Sequence, residues 1–123
     1  MHNLRNNLYI VICLILFGCT TDDFRVVDAL KNGMSKNEAR AVINSFSFKI
    51  EKEAQRPTDG WPEPDGSFED LPGRANVAEN KIGKKIGTVE YYPVHHGILG
   101  FGMLFLFYDS NEKLVYFYRK QIN

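Results

Sequence analysis

The sequence predicts an α+β domain: two short N-terminal helices packed on a three- or four-stranded antiparallel sheet, in two layers. Three observations carry this. A serine-led helix start at Ser35 is followed by apolar residues at helical spacing, the period switches to alternation at Phe46, and the last third strings apolar, aromatic-rich runs between turn residues.

The chain begins with one positive side chain, Arg5, and then an uncharged apolar run from Leu8 to Phe17. A membrane-spanning helix needs roughly 20 apolar residues, whereas a signal-peptide core needs about 7–15 behind a positive start, so the shorter template fits. The run ends abruptly on Leu16-Phe17-Gly18-Cys19, which resembles a bacterial lipobox, and Thr20-Thr21-Asp22-Asp23 follows as a polar break. The resemblance implies cleavage between Gly18 and Cys19, a diacylglyceryl group on the Cys19 thiol, and acylation of the new amino end. Each buried methylene contributes ~0.8 kcal/mol, so several chains on one cysteine hold a protein to a membrane without help from its fold. Residues 1–18 then form a lipoprotein signal peptide, 19–23 the lipidated cysteine with a short tether, and 24–123 a single domain. Cys13 leaves with the leader and Cys19 is consumed as a thioether, so the mature chain keeps no free thiol, which suits an oxidising compartment.

About 105 residues remain after that cleavage, enough for one core. The whole chain balances 15 Lys and Arg against 15 Asp and Glu, and a near-neutral chain has no electrostatic footprint for nucleic acid.

Phe24, Val27 and Leu30 lie at helical spacing between early aspartates and Lys31, and Asn32-Gly33 is a stop signal, so a first helix spans 23–31. In "GMSKNEARAVINSF", Ser35 and Glu38 fit a capping box, and Ala39, Val42, Ile43 and Phe46 make one apolar stripe. Phe46, Phe48 and Ile50 then alternate with Ser47, Lys49 and Glu51, which predicts a strand from Phe46 to about Gln55, ended by Pro57. From Pro57 to Arg74 four prolines, three glycines and five acids predict a long surface loop, with Trp61, Phe68 and Asp65 as its candidate binding residues. The rest reads as a meander: a strand in 85–95, a glycine-punctuated turn at 97–102, the strand "MLFLFYD", a turn at Asp109-Ser110-Asn111-Glu112 and the strand "KLVYFYRK". The last two strands are apolar on both faces, which calls for helices on one side and a partner or another layer on the other.

No motif for chemistry stands out. His95 and His96 are neighbours that a strand would point to opposite faces, and no third ligand sits at a fixed spacing. "EPDGSFED" fails as a calcium loop, because aligning Gly66 with the invariant glycine puts Trp61 at the first ligand position and Pro72 where a glutamate belongs. Neither a phosphate-binding loop nor an activated nucleophile is recognisable. The reading is therefore non-enzymatic, with no metal, no cofactor beyond the covalent lipid on Cys19, and no small-molecule substrate indicated.

The order of lipobox, helix, "KNGMSKNEARAVI" helix and strands ending in "LFLFYDSNEKLVYF" resembles the SmpA/OmlA family of small outer-membrane lipoproteins, the BamE type. Gly33 to Ile43 is similar to the family's helix start and Leu104 to Val115 to its strand, turn and strand. Ile43-Asn44-Ser45-Phe46 departs from the family's Leu-Gly-x-Pro turn, the first strand lacks the expected tryptophan, and the acidic loop is an insertion. The resemblance implies lipid anchoring through Cys19 on the periplasmic side of the outer membrane, and a scaffold or accessory role in envelope assembly with a protein partner. The alternative is a binding or inhibitor lipoprotein that blocks an enzyme or ligand through the 57–74 loop.

Overall fold

The computed structural model describes residues 22–96 and 100–122; the expected signal peptide and lipidated Cys19, and residues 97–99 of the expected turn, lie outside the described residues. The elements run α1 (Asp22–Ala29), α2 (Lys36–Ser45), β1 (Lys52–Gln55), α3 (Leu71–Ile82), β2 (Thr88–His96), β3 (Gly100–Tyr108) and β4 (Leu114–Ile122). The four strands form one antiparallel sheet in the order β1-β2-β3-β4. The α+β class with helices on an antiparallel sheet is as the sequence predicts.

The helix signals work as read. Ser35 caps α2 by accepting the Glu38 backbone N–H at 3.1 Å, and its hydroxyl in turn donates to the Glu38 carboxylate. Ala39 and Ile43 of α2 are buried with Val26 and Leu30 against Tyr92, Val94, Leu104, Leu106, Tyr108 and Leu114 on one face of the sheet. Between α1 and α2 the chain runs beside the start of β4: Gly33 N–H donates to the Leu114 carbonyl at 2.7 Å, and Leu114 N–H to the Met34 carbonyl at 2.8 Å.

Two expectations need correcting. The first strand does not start at Phe46, which is the C-cap of α2; Ser47 follows at φ 66° and Phe48 turns into the core. An extended chain cannot pass through that left-handed residue, so the ladder begins only at Lys52. The predicted 57–74 loop is also shorter, because its last residues open α3, which covers the other face of the sheet. Asp70 is the N-cap, Pro72 sits in the first turn where its missing N–H is harmless, and Gly83 ends the helix at φ 68°. Leu71, Ala75 and Ala78 of α3 join Trp61, Ile86, Val89, Tyr91, Met103, Phe105 and Phe107 in a second core. That helix is the further layer that the doubly apolar β3 demands, and it makes three helices among the described residues rather than two.

β2 pairs with β1 only through Tyr91, so Pro93, which has no N–H to give, falls where β2 has lost its β1 neighbour. The β3–β4 turn is held by Asp109, whose carboxylate accepts the N–H groups of Asn111 (2.9 Å) and Lys113 (3.0 Å).

Asp70 ties α3 to the loop before it: one carboxylate oxygen accepts the Gly73 N–H at 2.9 Å, the other the Asp65 N–H at 2.8 Å. Gly73 admits Pro64 so closely that a Cβ there would lie 2.7 Å from the Pro64 Cα. Asp70→Ala is expected to cost about 1–2 kcal/mol, read as a lower urea midpoint, with faster proteolysis within residues 62–70. An unchanged cleavage rate would mean that the loop is held by other contacts.

Candidate protein-binding groove

Four residues were singled out in the sequence as sites. Cys19 lies outside the described residues. Trp61 is 6% exposed and its indole N–H donates to the Ile86 carbonyl at 2.8 Å, so it anchors the loop from within and offers no surface to a partner. Phe68 is 61% exposed, and Lys120 lies over its ring at 5.5 Å. Asp65 is on the surface, where it accepts the Ser67 N–H at 2.7 Å; that backbone bond leads the causes that hold its carboxyl below the usual range. The structure therefore keeps Phe68 and Asp65 on the rim and removes Trp61 from it.

What they border is a groove that sequence reasoning missed. α3 packs over β1 and β2, leaving the β4 tyrosines Tyr116 and Tyr118 half-buried beside it. Arg74, Val77, Ala78 and Lys81 of α3 form one wall of a cavity of about 350 Å³ floored by those tyrosines. It adjoins a second cavity, of about 210 Å³, that reaches Pro64, Gly66 and Ser67 of the loop and shares Arg74, Val77 and Tyr118. Val77 in this wall is 52% exposed, a large apolar side chain left to solvent.

The floor is a stack of rings. Tyr118 lies 5.2 Å from Phe105 and 5.8 Å from Phe107, and Tyr116 5.6 Å from Phe107 and 5.7 Å from Tyr118. Such contacts fix the tyrosines by packing. Each hydroxyl meets a cation: Arg74 donates to Tyr118 Oη at 2.9 Å, with its guanidinium 4.3 Å from the Phe105 centroid, and Lys81 donates to Tyr116 Oη at 3.0 Å. Arg74 also donates to the Phe68 carbonyl, which ties the loop to the groove. The bond to Tyr116 raises the Lys81 ammonium above its ordinary value, so the cation persists to higher pH.

Signals for this groove are present in the sequence. Tyr116 and Tyr118 are two apart on one strand, and Arg74 and Lys81 are seven apart on one helix, so each pair shares a face. Without α3 the second pair could not be placed.

A second polar cluster sits under α2. Glu90 is fully buried, receives Nε of Arg40 at 2.7 Å and the hydroxyl of Tyr92 at 3.0 Å, and the same guanidinium reaches Glu53 at 2.7 Å. Burial opposes the Arg40 charge, but the hydrogen bond and charge of Glu90 more than offset it, so the guanidinium holds its proton above the ordinary value. This cluster is closed to solvent around Glu90 and joins α2 to β1 and β2. His95 is exposed at the far end of β2, with its ring 5.4 Å from Phe101. Among the described residues no group of three His, Cys, Asp or Glu is placed to hold a metal ion, and no helix is long and apolar enough to cross a membrane.

Comparison of the chain with protein-family models, curated proteins and solved structures finds no match.

Proposed function

We propose that this chain is a lipid-anchored lipoprotein on the periplasmic side of the bacterial outer membrane, and that it acts as a non-enzymatic scaffold or accessory in envelope assembly. The observation that carries the binding part is the groove between α3 and β4, where the half-buried tyrosines, exposed Val77 and two cations stand on a packed frame. Large apolar side chains left exposed and rimmed by polar groups mark contact surfaces. The address rests on the Leu16-to-Cys19 motif and on the likeness of Gly33–Ile43 and Leu104–Val115 to SmpA/OmlA lipoproteins. The inhibitor alternative keeps Phe68 as its protruding group, since that ring is largely exposed at the loop end of the same groove, with Lys120 over it.

The test expresses the full chain with a C-terminal tag and a photo-crosslinking residue at Val77 in a Gram-negative host fed a palmitate analogue. Label in the outer membrane that disappears with Cys19→Ala, with a crosslink to an envelope-assembly component, is expected. Label unaffected by Cys19→Ala would remove the address, and a crosslink to an enzyme would favour the inhibitor reading.

A further inference from the structure

The groove is built of donors. Tyr116 and Tyr118 each accept from a cation, so each hydroxyl keeps its own hydrogen to give, and among the described residues neither has an acceptor for it. Arg74 and Lys81 have no carboxylate partner among the described residues either: their bonds go to tyrosine hydroxyls and the Phe68 carbonyl. The nearby acids are committed elsewhere. Asp70 accepts the backbone N–H groups of Gly73 and Asp65, Asp65 accepts that of Ser67, and Glu69 pairs with Lys52. What completes such a site is an acceptor-rich, negatively charged group at each cation and hydroxyl pair.

The two pairs are also spaced. Tyr116 and Tyr118 are two residues apart on β4, which sets their Cα atoms about 6.8 Å apart along the strand. An extended chain running beside β4 repeats at that same interval on the face it turns toward the groove. Among the described residues β4 is an edge strand, and of these the 33–34 segment occupies its outer side only at Leu114, so an extended segment can run alongside the remainder.

We infer that the groove takes an extended acidic segment of a partner protein, with carboxylates at alternate positions meeting the Arg74–Tyr118 and Lys81–Tyr116 pairs. This rests on the reading of the groove as a contact surface, but not on the lipid address. It names the partner by its chemistry: acid, any, acid, in strand form.

The probe is a fluorescein-labelled peptide, Gly-Ser-Glu-Val-Glu-Val-Glu-Val-Ser-Gly, titrated by anisotropy against the full-length protein in detergent. Saturable binding that weakens with salt is expected. At least about a tenfold loss is expected when glutamine replaces glutamate, and a clear loss when the three glutamates are made contiguous. Arg74→Glu with Lys81→Glu should abolish binding, while Lys84→Glu with Lys85→Glu leaves it intact. Since Arg74 stacks on Phe105 and its loss can disturb the fold, Tyr116→Phe with Tyr118→Phe is the second variant: it keeps both rings and should weaken binding several-fold. Equal binding of the glutamine peptide, or binding unchanged in both groove variants, would overturn the inference. So would saturable binding of glycerol phosphate, lost in the same variants, with no peptide binding, which would assign the groove to a lipid headgroup. A protein that binds the peptide but takes no label at Cys19 keeps this inference and loses the address; the reverse result loses this inference alone.

Discussion

Arg40→Met is expected to lower the unfolding free energy by about 3–5 kcal/mol, because it strands the fully buried Glu90 carboxylate without its cation. Glu90 is taken wholly from water while the Arg40 side chain stays 37% exposed, so it is the buried carboxylate that depends on its cation and on good geometry. Here the geometry is good: the guanidinium grips one Glu90 oxygen through both Nε and Nη2, Tyr92 donates to the other, and Glu53 takes the remaining reach of Nη2. Removing one member therefore costs far more than the pair contributes relative to an apolar replacement. The companion variant, Arg40→Met with Glu90→Leu, is expected within about 1–2 kcal/mol of the natural chain, since nothing charged is then left buried. Urea unfolding measures both, with an unchanged m-value expected. A loss below about 1 kcal/mol for Arg40→Met would mean that water reaches Glu90 in the folded protein.

The second large effect lies at alkaline pH. Tyr92 and Tyr108 are 1% and 0% exposed, and burial, followed by the charge of Glu90, pushes both hydroxyls well above the ordinary tyrosine value of about 10. In the unfolded chain both ionise near that value; in the folded chain they stay protonated. Their contribution is thus fully present below about pH 10 and is lost as pH rises beyond it, at about 1.4 kcal/mol per pH unit for each tyrosine and about 2.7 for the two. Lysines titrate in the same range, so the difference between variants isolates the effect. Tyr108→Phe is expected to remove the Tyr108 share of the slope between pH 10 and 11 and leave the rest. At pH 7 it should be neutral or stabilising, because the buried Tyr108 hydroxyl has no hydrogen-bond partner among the described residues. Urea midpoints at pH 8, 10 and 11 decide, and a slope identical to that of the natural chain would exclude Tyr108 as a source.

Much of the fold was legible where local chemistry and global packing agree. The Ser35 cap, the helical stripe through Ala39 and Ile43, and the Asp109 turn are each set by side chains reaching their own neighbouring backbone. α3 was not legible because its inward face is mostly alanine and glycine, a faint hydrophobic signal, and because Pro72 and Gly73 in its first turn read as loop residues. The Asp70 cap, the early proline and the Gly83 stop were the signals to weigh together. The strand expected from Phe46 failed because alternation in the sequence does not reveal a left-handed residue at Ser47. The groove was hidden for the same reason as α3: its two cations belong to that helix. The ring stack beneath it depends on a sheet register no local pattern specifies.

β3 is buried on both faces along Met103–Tyr108, and this carries a cost before folding is complete. A run of six apolar and aromatic residues with high strand propensity, no charge and no proline is the composition from which ordered aggregates form. The finished molecule conceals it, yet every newly made or unfolding chain exposes it. Protection then depends on order of assembly. The Asp109 turn brings β4, with Arg119 and Lys120, beside β3 across a few residues, a contact that closes far sooner than those from α1 and α2 some seventy residues away. The hairpin thus shields its own most hazardous strand, and any change that slows the turn should appear first as lost soluble yield.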